Sequence, residues 1–126
     1  MAGENVKLSP EAISIEKSSE IIRKKVPINE IYMELAEEAS ELSQAALKMC
    51  RVNSPTNPTP KTLETAQEEL IEEYTDVINI ANLLNIPFDF KSAARKLERW
   101  VSRIEKTSLL DKKFVISDDS HSKQAP

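Results

Sequence analysis

Apolar residues recur along this chain in alternating steps of four and three. One stripe reads Ile31, Leu35, Glu38, Leu42, Ala45, Met49, and a second reads Ala66, Leu70, Glu73, Val77, Ile80, Leu84. Each has the spacing of a single face of an α-helix. The two stripes correspond position by position at an offset of 35 residues. A further stripe, Ala93, Leu97, Trp100, Ile104, predicts another amphipathic helix downstream. Local punctuation sets the bounds. Ser9-Pro10-Glu11 starts a first helix, with a capping Ser before Pro at the first helical position; it runs to about Lys25 and stops ahead of Pro27. Asn29 is expected to cap a second helix from about Glu30 to Arg51. Pro55, Pro58 and Pro60 mark the segment from Asn53 as an extended loop. Thr62 caps a third helix to about Asn85, ahead of Ile86-Pro87, and Asp89 caps a fourth from about Phe90 to Lys106.

No strand alternation competes with these helices. The prediction is an all-α fold: a four-helix bundle with a Pro-rich loop between helices two and three and a flexible C-terminal tail. Residues 1–106 are expected to form one helical domain with its core in 29–106. Residues 107–126, an apolar scrap followed by Ser, Asp and Lys, are expected to be a partly disordered tail.

The third position of both main stripes is a glutamate, Glu38 and Glu73, where an apolar residue belongs. Three residues later come Glu41 and Asp76, one turn along the same side; four residues earlier stand Glu34 and Glu69. An unpartnered carboxylate facing a core is costly, and carboxylates brought together cost more. A cation is therefore expected between them. Oxygen-only donors favour Mg²⁺ or Mn²⁺ over zinc or copper. The only histidine, His121, is in the tail, so no Glu-x-x-His pair exists for a di-iron bundle. For Glu37, Glu64, Glu68 and Glu72 a solvated helix face is the simpler reading. Glu38 and Glu73 also admit a structural alternative, as polar residues that set the register of a helical bundle.

Composition narrows the setting. A length of 126 residues with one Gly and one Cys suits a single helical domain in a reducing cytoplasm. Cys50, near the end of helix two, reads as a small buried hydrophobe. No apolar run approaches a membrane span, and no signal-peptide pattern opens the chain. The net charge of -4 argues against a general nucleic-acid binder while leaving room for a nucleotide substrate. Helix four supplies cations: Lys96, Arg99 and Arg103 form a ridge beside its apolar stripe, with Arg95 and Lys106 at its flanks. Ion pairs with Glu98 and Glu105 are the competing explanation for that ridge.

At the acidic positions the chain resembles the MazG-like family of all-α nucleoside triphosphate pyrophosphohydrolases. Glu37, Glu38 and Glu41 match its E-E-x-x-E half, and Glu73 and Asp76 its E-x-x-D half, in that order. The resemblance spans roughly Asn29 to Glu105. The connection between the halves is longer than in compact members, and its Asn57-Pro-Thr-Pro60 resembles the loop of small members from phages and mobile elements. The resemblance implies cleavage of a ribo- or deoxyribonucleoside triphosphate to monophosphate and pyrophosphate, with house-cleaning of the nucleotide pool as the expected role.

It further implies Glu38, Glu41, Glu73 and Asp76 as ligands of Mg²⁺, with Mn²⁺ as substitute, and Glu37 as the residue that orients or deprotonates water. Lys96, Arg99 and Arg103 are the expected phosphate contacts. Asn79, with Asn82 beyond it, follows Asp76 at steps of three and is a candidate for the base or ribose, or for a bond across a subunit interface. Tyr32, Tyr74, Phe88, Phe90 and Trp100 could stack on a base, although Trp100 fits a core stripe. Apolar residues off the main stripes, such as Ile71, Ile78 and Leu47, predict a homodimer or dimer of dimers, as does the family. The alternative is a non-catalytic helical adaptor, or a regulatory oligomer with a structural metal site.

Overall fold

The computed structural model describes residues 6–119, and side chains as far as Lys113. These residues form four helices and no strand: α1 (Pro10–Lys25), α2 (Ile28–Arg51), α3 (Leu63–Leu83) and α4 (Phe90–Asp119). The all-helical class is as expected. The described residues divide into two compact units on either side of the Ile86–Pro87 junction, the first holding α1 to α3 and the second α4.

The helix ends show which sequence signals act. Ser9 accepts a hydrogen bond from the Ala12 amide at 3.1 Å, and Thr62 accepts from the Thr65 amide at 3.1 Å. Both are N-caps that satisfy an otherwise orphan donor. Asp89 accepts from the Ser92 amide at 3.0 Å and from its hydroxyl at 2.8 Å. These bonds hold its carboxyl below the usual carboxylate range.

Helix α2 departs from expectation. It starts at Ile28, so Asn29 lies inside the first turn, and Pro27 occupies the cap position with no side-chain cap bond. The Pro27 ring sets φ at -57°, and its carbonyl accepts from the Glu30 and Ile31 amides. Helix α3 ends at Leu83 rather than Asn85. Asn85 takes a φ of 54°, the Ile86 amide bonds back to the Ala81 carbonyl and the Asn85 amide to that of Asn82. This is the Schellman closure, and Asn is among the few non-glycine residues that tolerate the left-handed step. Helix α4 runs past Lys106 to Asp119, through the first part of the expected tail. Thr107 to Asp119 contains neither Gly nor Pro, so nothing local stops it. The rest of that tail, 120–126, lies outside the described residues.

Helices α2 and α3 pack against each other along the predicted stripes, and every stripe position is buried or half-buried. The deepest residues are Ile31, Ala45, Ala66 and Leu83. The pairing is antiparallel: Lys48 near the end of α2 meets Glu69 near the start of α3, while Glu38 meets Asp76 further along. Ala45 and Ala66 are the most completely buried residues of the pair. Side chains this small let helix axes approach closely.

Helix α1 is fastened to α3 by Arg23. Its Nε donates to the Leu83 carbonyl and its Nη2 to that of Asn82, each at 3.1 Å. A guanidinium there bonds the last-turn carbonyls, Asn82 sharing its oxygen with the Asn85 amide, and sits at the negative end of the helix dipole.

Two core expectations are corrected. Cys50 is exposed, because Met49 beside it takes the inward position. Leu97, Trp100 and Ile104 are also exposed, since the unit containing α4 has no second helix to cover their stripe.

Candidate metal centre

The antiparallel pairing of α2 and α3 turns two sequence motifs into one site. Glu38 on α2 and Glu73 and Asp76 on α3 each present a carboxylate oxygen, and the three oxygens lie within 4.8 Å of one another. All three residues are half-buried. Glu41, the fourth expected ligand, is exposed and borders Glu73. Glu37 is exposed beside Glu38.

Electrostatics mark these acids off from the other glutamates. Desolvation raises the pKa of Glu38, with Asp76 and then Glu41 adding to it by charge repulsion. Desolvation likewise raises that of Glu73, and the neighbouring Glu41 carboxylate pushes it further. Among the described residues the salt bridges are made by Glu69, from Lys48 at 3.0 Å and from Lys61, and none reaches Glu38, Glu73 or Asp76. The cluster therefore holds like charges without a protein cation against it.

Spacing groups Glu69 with the acidic patch, but the fold neutralises it. Lys48 and Lys61 carry no motif that marks them as its partners. The signal was present in the topology: antiparallel helices joined by one loop must bring the end of α2 to the start of α3.

A cavity of about 330 Å³ opens beside the acids. Glu38 and Asp76 form one part of its wall, Asn79 of α3 lies next to them, and Ser14, Ser18 and Ile22 of α1 close the other side. Asn79 thus lines the same cavity as Glu38 and Asp76. The α1 serines had no sequence signal, because short polar residues on a helix ordinarily face water. None of the five candidate aromatics lines this cavity. Phe88 and Phe90 instead pack edge to face, with ring centres 4.9 Å apart.

Lys96, Arg99 and Arg103 are exposed on α4, in the second unit. Arg103 lines a shallow surface depression there with Trp100 and Ile104.

The donor set at the acidic cluster is three carboxylates without His or Cys. Such a set suits a hard divalent cation of the Mg²⁺ or Mn²⁺ type and gives softer metals no preferred ligand. No helix among the described residues is long and apolar enough to cross a membrane. No protein-family model, curated protein or solved structure matches the chain. What the molecule displays is a half-buried acidic cluster able to hold a metal ion, with a cavity at its side.

Proposed function

We propose that the protein is a Mg²⁺-dependent nucleoside triphosphate pyrophosphohydrolase of the MazG-like type, converting a ribo- or deoxyribonucleoside triphosphate to the monophosphate and pyrophosphate. The observation that carries this reading is the convergence of Glu38, Glu73 and Asp76 to within 4.8 Å with no salt bridge to offset them. A register-setting polar contact needs one such residue, whereas three converging carboxylates are repelled until a cation joins them.

Glu38, Glu73 and Asp76 would hold the ion, with Glu41 completing the set from the rim. When bound, the ion supplies charge neutralisation at phosphate oxygens and lowers the pKa of a coordinated water. In the proposed reaction, water attacks the α-phosphorus, the bond to the bridging oxygen breaks, and pyrophosphate leaves with that oxygen. Glu37, exposed next to Glu38, is the proposed group that orients this water or takes its proton. The cavity beside Glu38 and Asp76 has no Lys or Arg in its lining and suits the uncharged nucleoside, with Asn79 offering an amide to its polar edge.

The active form is proposed to be a homodimer or dimer of dimers. Tyr32, Met33, Ile71 and Tyr74 are exposed on α2 and α3, as is the α4 stripe at Leu97, Trp100 and Ile104. These exposed apolar side chains are the surface that a second copy would cover.

The test is pyrophosphate release from a panel of ribo- and deoxyribonucleoside triphosphates with Mg²⁺, with Mn²⁺ and with chelator. Metal-dependent release with a monophosphate as co-product supports the assignment. A folded, Mg²⁺-bound protein that releases none overturns it in favour of a structural metal site in a helical adaptor.

A further inference from the structure

Along α3 the chemistry changes in a fixed order. Glu69 comes first, bound by Lys48 and Lys61; Glu73 follows one turn later, then Asp76. Asn79 comes next, and the cavity wall continues to Ile80 and Leu83. The acids thus stand between a cationic cluster and a cavity lined without cations. Lys48 and Lys61 share one carboxylate, so the cluster keeps one positive charge in excess. All three side chains are only about a third exposed or less, at 35 %, 32 % and 24 % for Lys48, Lys61 and Glu69. Desolvation, and then the charge of Lys48, lowers the pKa of Lys61, as expected where two ammonium groups compete for too little negative charge. Four residues of helix separate Glu69 from Glu73, a rise of about 6 Å. That is close to the length of a pyrophosphate group.

We infer that Lys48 and Lys61 form the subsite for the terminal phosphates of the substrate and hence for the leaving pyrophosphate. The substrate then lies along α3 with its nucleoside in the cavity by α1 and its phosphate tail directed toward the Pro-rich loop. This deepens the pyrophosphohydrolase reading and rests on it for the identity of the substrate. It assigns phosphate recognition to cations of the same unit as the acids. Glu69 acts as a stand-in anion that holds the two ammonium groups in place until phosphate oxygens arrive.

The test measures binding of inorganic pyrophosphate by calorimetry in the presence of Mg²⁺, alongside turnover, for the full chain and three variants. The Lys48→Gln/Lys61→Gln double variant is expected to weaken pyrophosphate binding and raise KM by about tenfold or more, the usual loss when a charge-assisted contact is removed. Its binding of nucleoside monophosphate should stay within about twofold, since that product lies on the other side of the acids. Glu69→Gln, which frees both lysines, is expected to tighten pyrophosphate binding. Lys61→Arg should keep it.

A merely structural ion-pair cluster predicts otherwise: the double variant and Glu69→Gln would both lose stability, and neither would shift pyrophosphate affinity. That result overturns the subsite even if the wild-type protein hydrolyses triphosphates. Conversely, lysine-dependent pyrophosphate binding without any triphosphate hydrolysis would sustain the anion site and sink the proposed reaction.

Discussion

Glu38 and Glu73 are the residues at which charge and structure conflict most directly. Both carry raised pKa values from desolvation and from neighbouring carboxylates. A carboxyl whose pKa is higher folded than unfolded binds protons preferentially in the folded state. Its contribution to stability is full below the ordinary carboxylate range and is lost as pH rises through the folded value. Metal-free protein should therefore become more stable toward acid as pH drops from neutral into the raised range of these two groups. Thermal melts in chelator across pH would show this, and a melting temperature that only falls over that range would contradict it. Mg²⁺ should reverse the trend, because protons compete with the ion for the same oxygens. Glu73→Gln and Glu38→Gln are each expected to melt higher than wild type in chelator. Each should also lose Mg²⁺-dependent turnover by about a hundredfold or more, the scale expected when a group that supports transition-state charge is removed. A variant that melts higher and keeps full turnover would remove that glutamate from the metal set.

At the scale of helices, the contacts that set the site are few and specific. Arg23 ties α1 to the end of α3 through two backbone carbonyls. Arg23→Ala should cost about 1 kcal/mol of stability, within the usual range for a partly exposed hydrogen-bonded contact. It should also loosen the α1 wall of the cavity, read as a higher KM with little change in Mg²⁺ affinity. Ala45 is nearly fully buried on α2, between Glu38 and Lys48 in sequence. Ala45→Leu is expected to cost about 1–3 kcal/mol by overpacking. By spreading the helices it should also weaken Mg²⁺ binding, measurable by titration calorimetry.

The legibility of the sequence divides along the same contacts. The two stripes could be read residue by residue, because helical period and burial are coupled directly. Thr62 and Asp89 could be read because a cap is a local bond. The start of α2 was misplaced because Pro27 does with its ring and carbonyl what Asn29 was expected to do with a side chain. Lys48, Lys61 and the α1 serines were invisible because each matters only through a partner distant in sequence.

Across the whole molecule, the described core is small for the chain. Its buried apolar residues are Ile31, Ala45, Ala66 and Leu83, whereas Leu97, Trp100 and Ile104 remain more than half exposed. Self-association is the natural completion of such a surface. Sedimentation is expected to show a dimer or larger species at micromolar protein, with a melting temperature that rises with concentration. A single monomeric boundary with a concentration-independent melt would refute it.

The Pro-rich connection from Val52 to Thr62 has a consequence for how the molecule can be divided. It separates the two acid-bearing helices and contains none of the carboxylates that meet between them. Neither half of the chain owns a complete ion site, since Glu38 lies before the connection and Glu73 and Asp76 after it. If the proposed hydrolysis is this protein's activity, a cut near Asn57 should thus yield two fragments that are each inert and become active on mixing. Such a split pair would report helix association directly, with nucleotide turnover as its signal.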